Sequence, residues 1–225
     1  MKYPYTLKDG HIIFDVNGKT TLLDTGAPAS VGQGPFEFNG STFDLQDNYL
    51  GLTTASLSEL AGIQIDILLG ADIISNFDLY INSSNSTVEF GDNIQKKGEI
   101  LPIEVFSGVP ILEVEVNGEK ITAFFDTGAK LSYVNKNITS DLAAVDQQED
   151  FYPGIGSFIT DIYNLNTVLG ENISLDLEYG ILPSLLEMTL MVAGVSGIIG
   201  TEILASASCL LSLKRKELTF INNQG

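Results

Sequence analysis

Two aspartates carry the strongest chemical signal in the chain. Asp24 stands in Leu22-Leu23-Asp24-Thr25-Gly26-Ala27, and Asp126 in Phe124-Phe125-Asp126-Thr127-Gly128-Ala129, 102 residues later. Each follows an apolar run of strand character. If the fold brings the two carboxyl groups within a few ångströms, they cannot both ionise cheaply. The pair then keeps one proton, so one member serves as a general base and the other as an acid. The alternative is plain: Asp-Thr-Gly after a strand is also an ordinary turn, with Asp capping and Gly taking positive φ. Other nucleophilic chemistry is poorly supplied. A serine or cysteine hydrolase needs a histidine partner, and the single His11 sits in a strand-like stretch. Cys209 lies in the apolar run Ser206-Ala207-Ser208-Cys209-Leu210-Leu211 and reads as core. One His and one Cys cannot build a zinc site, and the expectation is that no metal or cofactor is used.

The elements that must position these aspartates are repeated too. His11–Ala27 and Pro110–Ala129 both read strand, Asn-Gly turn, strand, aspartate. Asn17-Gly18 and Asn117-Gly118 are strong two-residue hairpin signals, because both central positions need positive φ. Downstream, Leu68-Leu69-Gly70 and Ile198-Ile199-Gly200 are each followed by a short helical stretch and a terminal strand. Gly70 and Gly200 differ by 130 positions, as do Tyr49 and Tyr179, and Phe90 and Phe220. A duplication of this kind predicts two lobes, residues 1–92 and 99–225, with a linker over 93–98. Between aspartate and glycine the second lobe carries 28 extra residues. They include Glu149–Asn164, which reads as a β-hairpin with a glycine-rich tip. The shorter first lobe offers Gly32–Asn48 instead, a stunted hairpin or a loop.

At this point the pattern resembles the aspartic proteases: two retropepsin-like lobes fused in one chain, in the bilobal manner of pepsins. The motifs that carry it are Leu22–Ser30 with Ile67–Ile74, and Phe124–Ser132 with Gly197–Leu204. The tip Gly154-Ile155-Gly156-Ser157-Phe158 resembles the flap of retroviral proteases. The resemblance implies an all-β bilobal fold with short helices after each apolar-apolar-Gly motif. It implies Asp24 and Asp126 as the catalytic pair, supported by Thr25, Thr127, Gly26 and Gly128. Ala27, Ala129, Gly154, Ile155, Gly156 and Phe158 would contact an extended peptide. The terminal strands of both lobes would share one sheet. Peptide hydrolysis is then the expected activity; the alternative is a peptide-binding module of the same fold that cuts poorly or not at all. A plain β-sandwich with coincidental turns would leave the paired motifs unexplained. A flap on the second lobe alone reverses the pepsin arrangement. Where pepsins often place serine, Ala27 and Ala129 offer no hydroxyl to lower a carboxylate pKa, so the acidic limb of activity is expected nearer neutrality.

Composition fits this and narrows the partners. Of 225 residues, 44% are hydrophobic and 18% charged, and a chain of this size buries a core without staples. Twenty-nine acidic against eleven basic residues give a net charge of −18, which repels phosphate backbones and argues against nucleic acid. No apolar run approaches the ~20 residues of a membrane span. The N-terminus has no sustained apolar segment of the kind that leads secretion, and one cysteine suits a reducing compartment. The expectation is a cytoplasmic monomer acting on peptide or protein, since one chain supplies both aspartates.

Overall fold

The computed structural model describes residues 1–152 and 156–222. The first half contains β1 (Lys2–Lys8), β2 (His11–Val16), β3 (Lys19–Leu23), β4 (Val31–Gly32), β5 (Pro35–Phe38) and β6 (Ser41–Asp44). There follow α1 (Thr54–Ala61), β7 (Ile67–Leu69), α2 (Ala71–Ile74), β8 (Asp78–Asn82) and β9 (Thr87–Gly91). The second half contains β10 (Glu99–Phe106), β11 (Val109–Val116), β12 (Glu119–Phe125), β13 (Ser132–Val134), β14 (Asp146–Tyr152) and β15 (Gly156–Leu169). It closes with β16 (Ile173–Ile181), α3 (Ser184–Val192), β17 (Gly197–Ile199), β18 (Ala207–Ser212) and β19 (Glu217–Asn222). The fold is mostly β, as the sequence predicts.

Both Asn-Gly pairs turn as expected. Asn17 and Gly18 have φ of 54° and 80°, Asn117 and Gly118 of 52° and 83°, and they join β2 to β3 and β11 to β12. Each hairpin delivers its second strand straight into an aspartate. In each half the apolar-apolar-Gly strand then runs parallel beside it: β7 pairs with β3, and β17 with β12.

The halves meet in one antiparallel sheet of six strands, ordered β1-β9-β8-β18-β19-β10. The four outer strands, β1, β9, β10 and β19, are the terminal strands that the resemblance implies. The two at the centre, β8 and β18, are not. They form the junction between halves, Ile81 opposite Cys209 and Leu79 opposite Leu211. Beneath this sheet the core runs unbroken through both halves, from Phe14, Phe38 and Phe90 to Phe125 and Phe220. The Asp78 carboxylate, only 2% exposed, closes the junction by pairing with Arg215 at 2.7 Å and accepting the Ile94 amide at 2.9 Å. Burial alone would raise its pKa, but the hydrogen bonds from Ser212 and Arg215 outweigh this and hold it low.

Where the halves differ, they differ between aspartate and glycine. In the second half, β14 and β15 form a long hairpin paired from Asp146↔Ile162 to Tyr152↔Gly156, and β15 continues to pair with β16. In the first half, Gly32–Asn48 makes the small hairpin β5–β6. It does not overhang anything: Phe36 and Phe38, each 1% exposed, pack into the main core, with Phe38 edge-on to Phe90 at 4.8 Å. Tyr49 and Tyr179 share the repeat's spacing but not its structure. Tyr179 is buried in β16 with its hydroxyl on Thr167, whereas Tyr49 starts a tight turn.

Candidate active site

The loops after β3 and β12 pack face to face across the junction. Thr25 and Thr127 lock them. The Thr25 hydroxyl accepts the Thr127 amide at 3.0 Å and donates to the Phe125 carbonyl at 2.8 Å. The Thr127 hydroxyl accepts the Thr25 amide at 3.0 Å and donates to the Leu23 carbonyl at 3.1 Å. Both threonines are essentially inaccessible, at 1% and 0% exposure. Four buried hydrogen bonds, each worth about 1 kcal/mol net, therefore tie one half to the other.

This lock brings Asp24 and Asp126 together. A Cβ built on Gly26 would lie 2.1 Å from the Asp126 carboxyl carbon, and one on Gly128 would lie 2.5 Å from that of Asp24. Each glycine thus passes against the opposite aspartate, and any side chain there would displace it. The carboxylates are steered by main-chain donors. Asp24 Oδ1 accepts the Gly26 and Ala27 amides at 2.9 and 2.8 Å, and Asp126 Oδ1 accepts the Gly128 amide at 2.8 Å. Burial, then the charge of Asp126, pushes the Asp24 pKa well up; burial raises Asp126 as well. A pair of buried carboxyls so placed retains a proton between them.

Support behind the loops is also duplicated. The Asp24 amide donates to the Leu69 carbonyl and the Asp126 amide to the Ile199 carbonyl, each at 3.0 Å. Gly70 and Gly200 donate to the hydroxyls of Ser30 and Ser132 at 2.8 and 3.1 Å. These two serines end the quoted repeats, and their matching positions are the only sequence signal of that role. Ala71 and Thr201 donate to the carbonyls of Ala27 and Ala129.

A cleft of about 740 Å³ opens over the pair. Asp24, Asp126, Gly26, Gly128, Ala27 and Ala129 form its floor. From the β14–β15 hairpin, Phe151, Tyr152 and Ser157 reach it. Tyr152 is held neutral by burial and by the nearby charges of Asp126 and Asp24, which raise its pKa. Phe158 shares the face of Asp150 and Tyr152, but its ring packs on Tyr133 at 6.2 Å and joins the core below, outside the cleft lining. Gly156 closes the paired part of the hairpin at φ 89°, and Gly154 and Ile155 lie outside the described residues. His11 lines the cleft, where its charge favours ionised Asp126; Cys209 is buried in the central sheet. Among the described residues, no group of three or more His, Cys, Asp and Glu is placed to hold a metal ion, and no helix is long and apolar enough to cross a membrane.

Residues 107–212 match the family model of the retroviral aspartyl protease. Among solved structures, a retropepsin-like aspartic protease from Rickettsia conorii is 15% identical, covering 56% of this chain and 96% of its own, with a TM-score of 0.37. The simian foamy virus (mac) protease in solution is 22% identical, over 36% of this chain and 94% of that one, with a TM-score of 0.27. No curated protein matches. The family match across the second half, beside a β fold that repeats the same loop in the first, supports a likeness to the aspartic protease superfamily.

Proposed function

We propose that the chain is an aspartic endopeptidase with its whole site in one copy, built from lobes 1–92 and 99–225 joined by 93–98. The observation that carries this reading is the crossed approach of each glycine to the opposite aspartate, which leaves Asp24 and Asp126 sharing one buried site at the cleft floor. The ionised carboxylate takes a proton from a water, whose oxygen attacks the peptide carbonyl carbon. The protonated carboxyl gives its proton to the carbonyl oxygen, and a neutral diol forms. Collapse restores the carbonyl, breaks the C–N bond and passes a proton to the leaving amine. The main-chain donors on both carboxyl groups fix the acceptor oxygens before substrate arrives, so little reorganisation is needed during reaction. The β14–β15 hairpin covers the cleft and excludes water. A lone buried thiol suits a reducing compartment, and a cytoplasmic monomer completes the proposal.

The test is cleavage of a denatured protein mixture, with and without a pepstatin-type inhibitor, by the native chain and by Asp24→Asn and Asp126→Asn. Inhibitor-sensitive cleavage abolished by either substitution is expected. Cleavage unchanged by both refutes the reading. Sedimentation with activity in the monomer fraction checks the single-copy site.

A further inference from the structure

The turn Tyr49-Leu50-Gly51-Leu52 breaks a rule that the rest of the chain keeps. Its ends exchange two main-chain hydrogen bonds, of 3.0 and 2.9 Å, and both central residues have positive φ, 51° at Leu50 and 86° at Gly51. Among the described residues, five other turns pair two such residues: Asp9-Gly10, Asn17-Gly18, Asn39-Gly40, Ser107-Gly108 and Asn117-Gly118. Each begins with a short polar residue, which tolerates the left-handed region by bonding to its own backbone. Leu50 is the only apolar residue other than glycine at positive φ among the described residues, and it is 76% exposed. Strain and exposure of a large apolar side chain coincide at one position, and both oppose the free state.

The rest of the turn explains where that side chain points. Leu52 is 8% exposed and belongs, with Tyr49, to the small core beneath the Asp24 loop. The turn is therefore anchored on both sides; Tyr49, Leu50 and Leu52 all line the cleft above the aspartates, and of the two leucines Leu50 is the one left exposed. Across that cleft is the hairpin residue Tyr152. The turn and the hairpin line one cleft, Tyr49 and Leu50 from the first, Phe151 and Tyr152 from the second. At the position that the repeat equates with Leu50, the second half has Gly180. It lies in β16 rather than in a turn, and a Cβ there would meet the Tyr133 ring at 2.6 Å.

We propose that Leu50 is a substrate-contacting, specificity-determining residue: the first half's answer to the hairpin, closing on a large apolar side chain of the bound peptide. This rests on the cleft being a peptide site, as above. Leu50→Asn fits the backbone and removes the apolar group. A purely structural role predicts a stabler protein, by about 2–4 °C in Tm, with binding unaltered. The proposal predicts that same stability together with a kcat/KM lower by about tenfold, weaker pepstatin affinity by a similar factor, and loss of any preference for large apolar residues at one position beside the cut. Leu50→Met should retain both affinity and preference. Native affinity and cleavage pattern in Leu50→Asn overturn the inference while leaving the protease reading intact. A native chain that neither binds pepstatin nor cleaves overturns both.

Discussion

The two halves are alike where they hold the aspartates and unlike where they wall the cleft. From Leu23 to Ser30 and from Phe125 to Ser132 the bonds that hold the loops have counterparts: threonine to threonine, serine to glycine, amide to strand carbonyl. Between aspartate and glycine the likeness ends. One half extends a hairpin over the cleft; the other presents a four-residue turn and spends its own hairpin, β5–β6, on the core. Sharing a proton requires two carboxyl groups held close together, whereas gripping an extended chain with distinct ends does not require symmetry. The likeness persists around the aspartates and is lost along the walls of the cleft.

The largest effect should fall on the symmetric part. Asp24→Asn and Asp126→Asn should each cut kcat/KM by at least about 10³-fold, since both acid and base roles are lost with either carboxyl. Unequal losses would show that the halves are not chemically equivalent. Next in size is the threonine lock. Thr25→Val leaves the Thr127 amide and the Phe125 carbonyl buried without partners, and Thr127→Val does the same to the Thr25 amide and Leu23 carbonyl. Each should cost about 3 kcal/mol in denaturant unfolding, and the double variant less than the sum, because both act on one network.

Much of this symmetry is legible in the sequence because it is written in residues with narrow uses. Asn-Gly allows few turns, and Asp-Thr-Gly twice over, with an apolar-apolar-Gly strand after each, fixes the loops and their backing. Other features are not legible, for physical reasons. β8 and β18 are covered on both faces, so Leu79-Tyr80-Ile81 and Cys209-Leu210-Leu211 are unbroken apolar runs without the alternation that marks a strand. α1 has no fully buried residue and α3 only two, Leu186 and Leu190, so neither shows a clear apolar stripe. Leu50-Gly51 resembles no hairpin turn, because the leucine is there against local preference. Phe158 shares a face with Tyr152, and only the structure shows its ring on Tyr133 while Tyr152 lines the cleft.

The asymmetric part should give smaller, coupled effects. Tyr152→Ala, on the hairpin, should lower kcat/KM by about tenfold with the fold intact. If hairpin and turn grip the same peptide, its loss and that of Leu50→Asn should not add, and a double-mutant cycle on kcat/KM reads the coupling directly. Strict additivity would mean that the two halves touch the peptide independently.

The smallest effect tests equivalence without any substrate. An ordinary aspartate titrates near pH 3.9 in the unfolded chain, while burial, and for Asp24 also the charge of Asp126, hold the pair higher in the fold. Between those limits the native state binds more protons than the unfolded one, so the pair's contribution to stability declines as pH rises through the window. Asp78 has the opposite sign: its depressed pKa adds stability above the unfolded value, which is lost as pH falls through the folded one. Asp24→Asn should therefore gain on the native protein as pH rises from about 4 toward neutrality, in unfolding midpoints measured at fixed salt. Asp126→Asn should trace the same curve, because a shared proton belongs to neither residue alone. Two separated curves would mean that one aspartate keeps the proton throughout, and that the symmetry of the loops stops short of their charge.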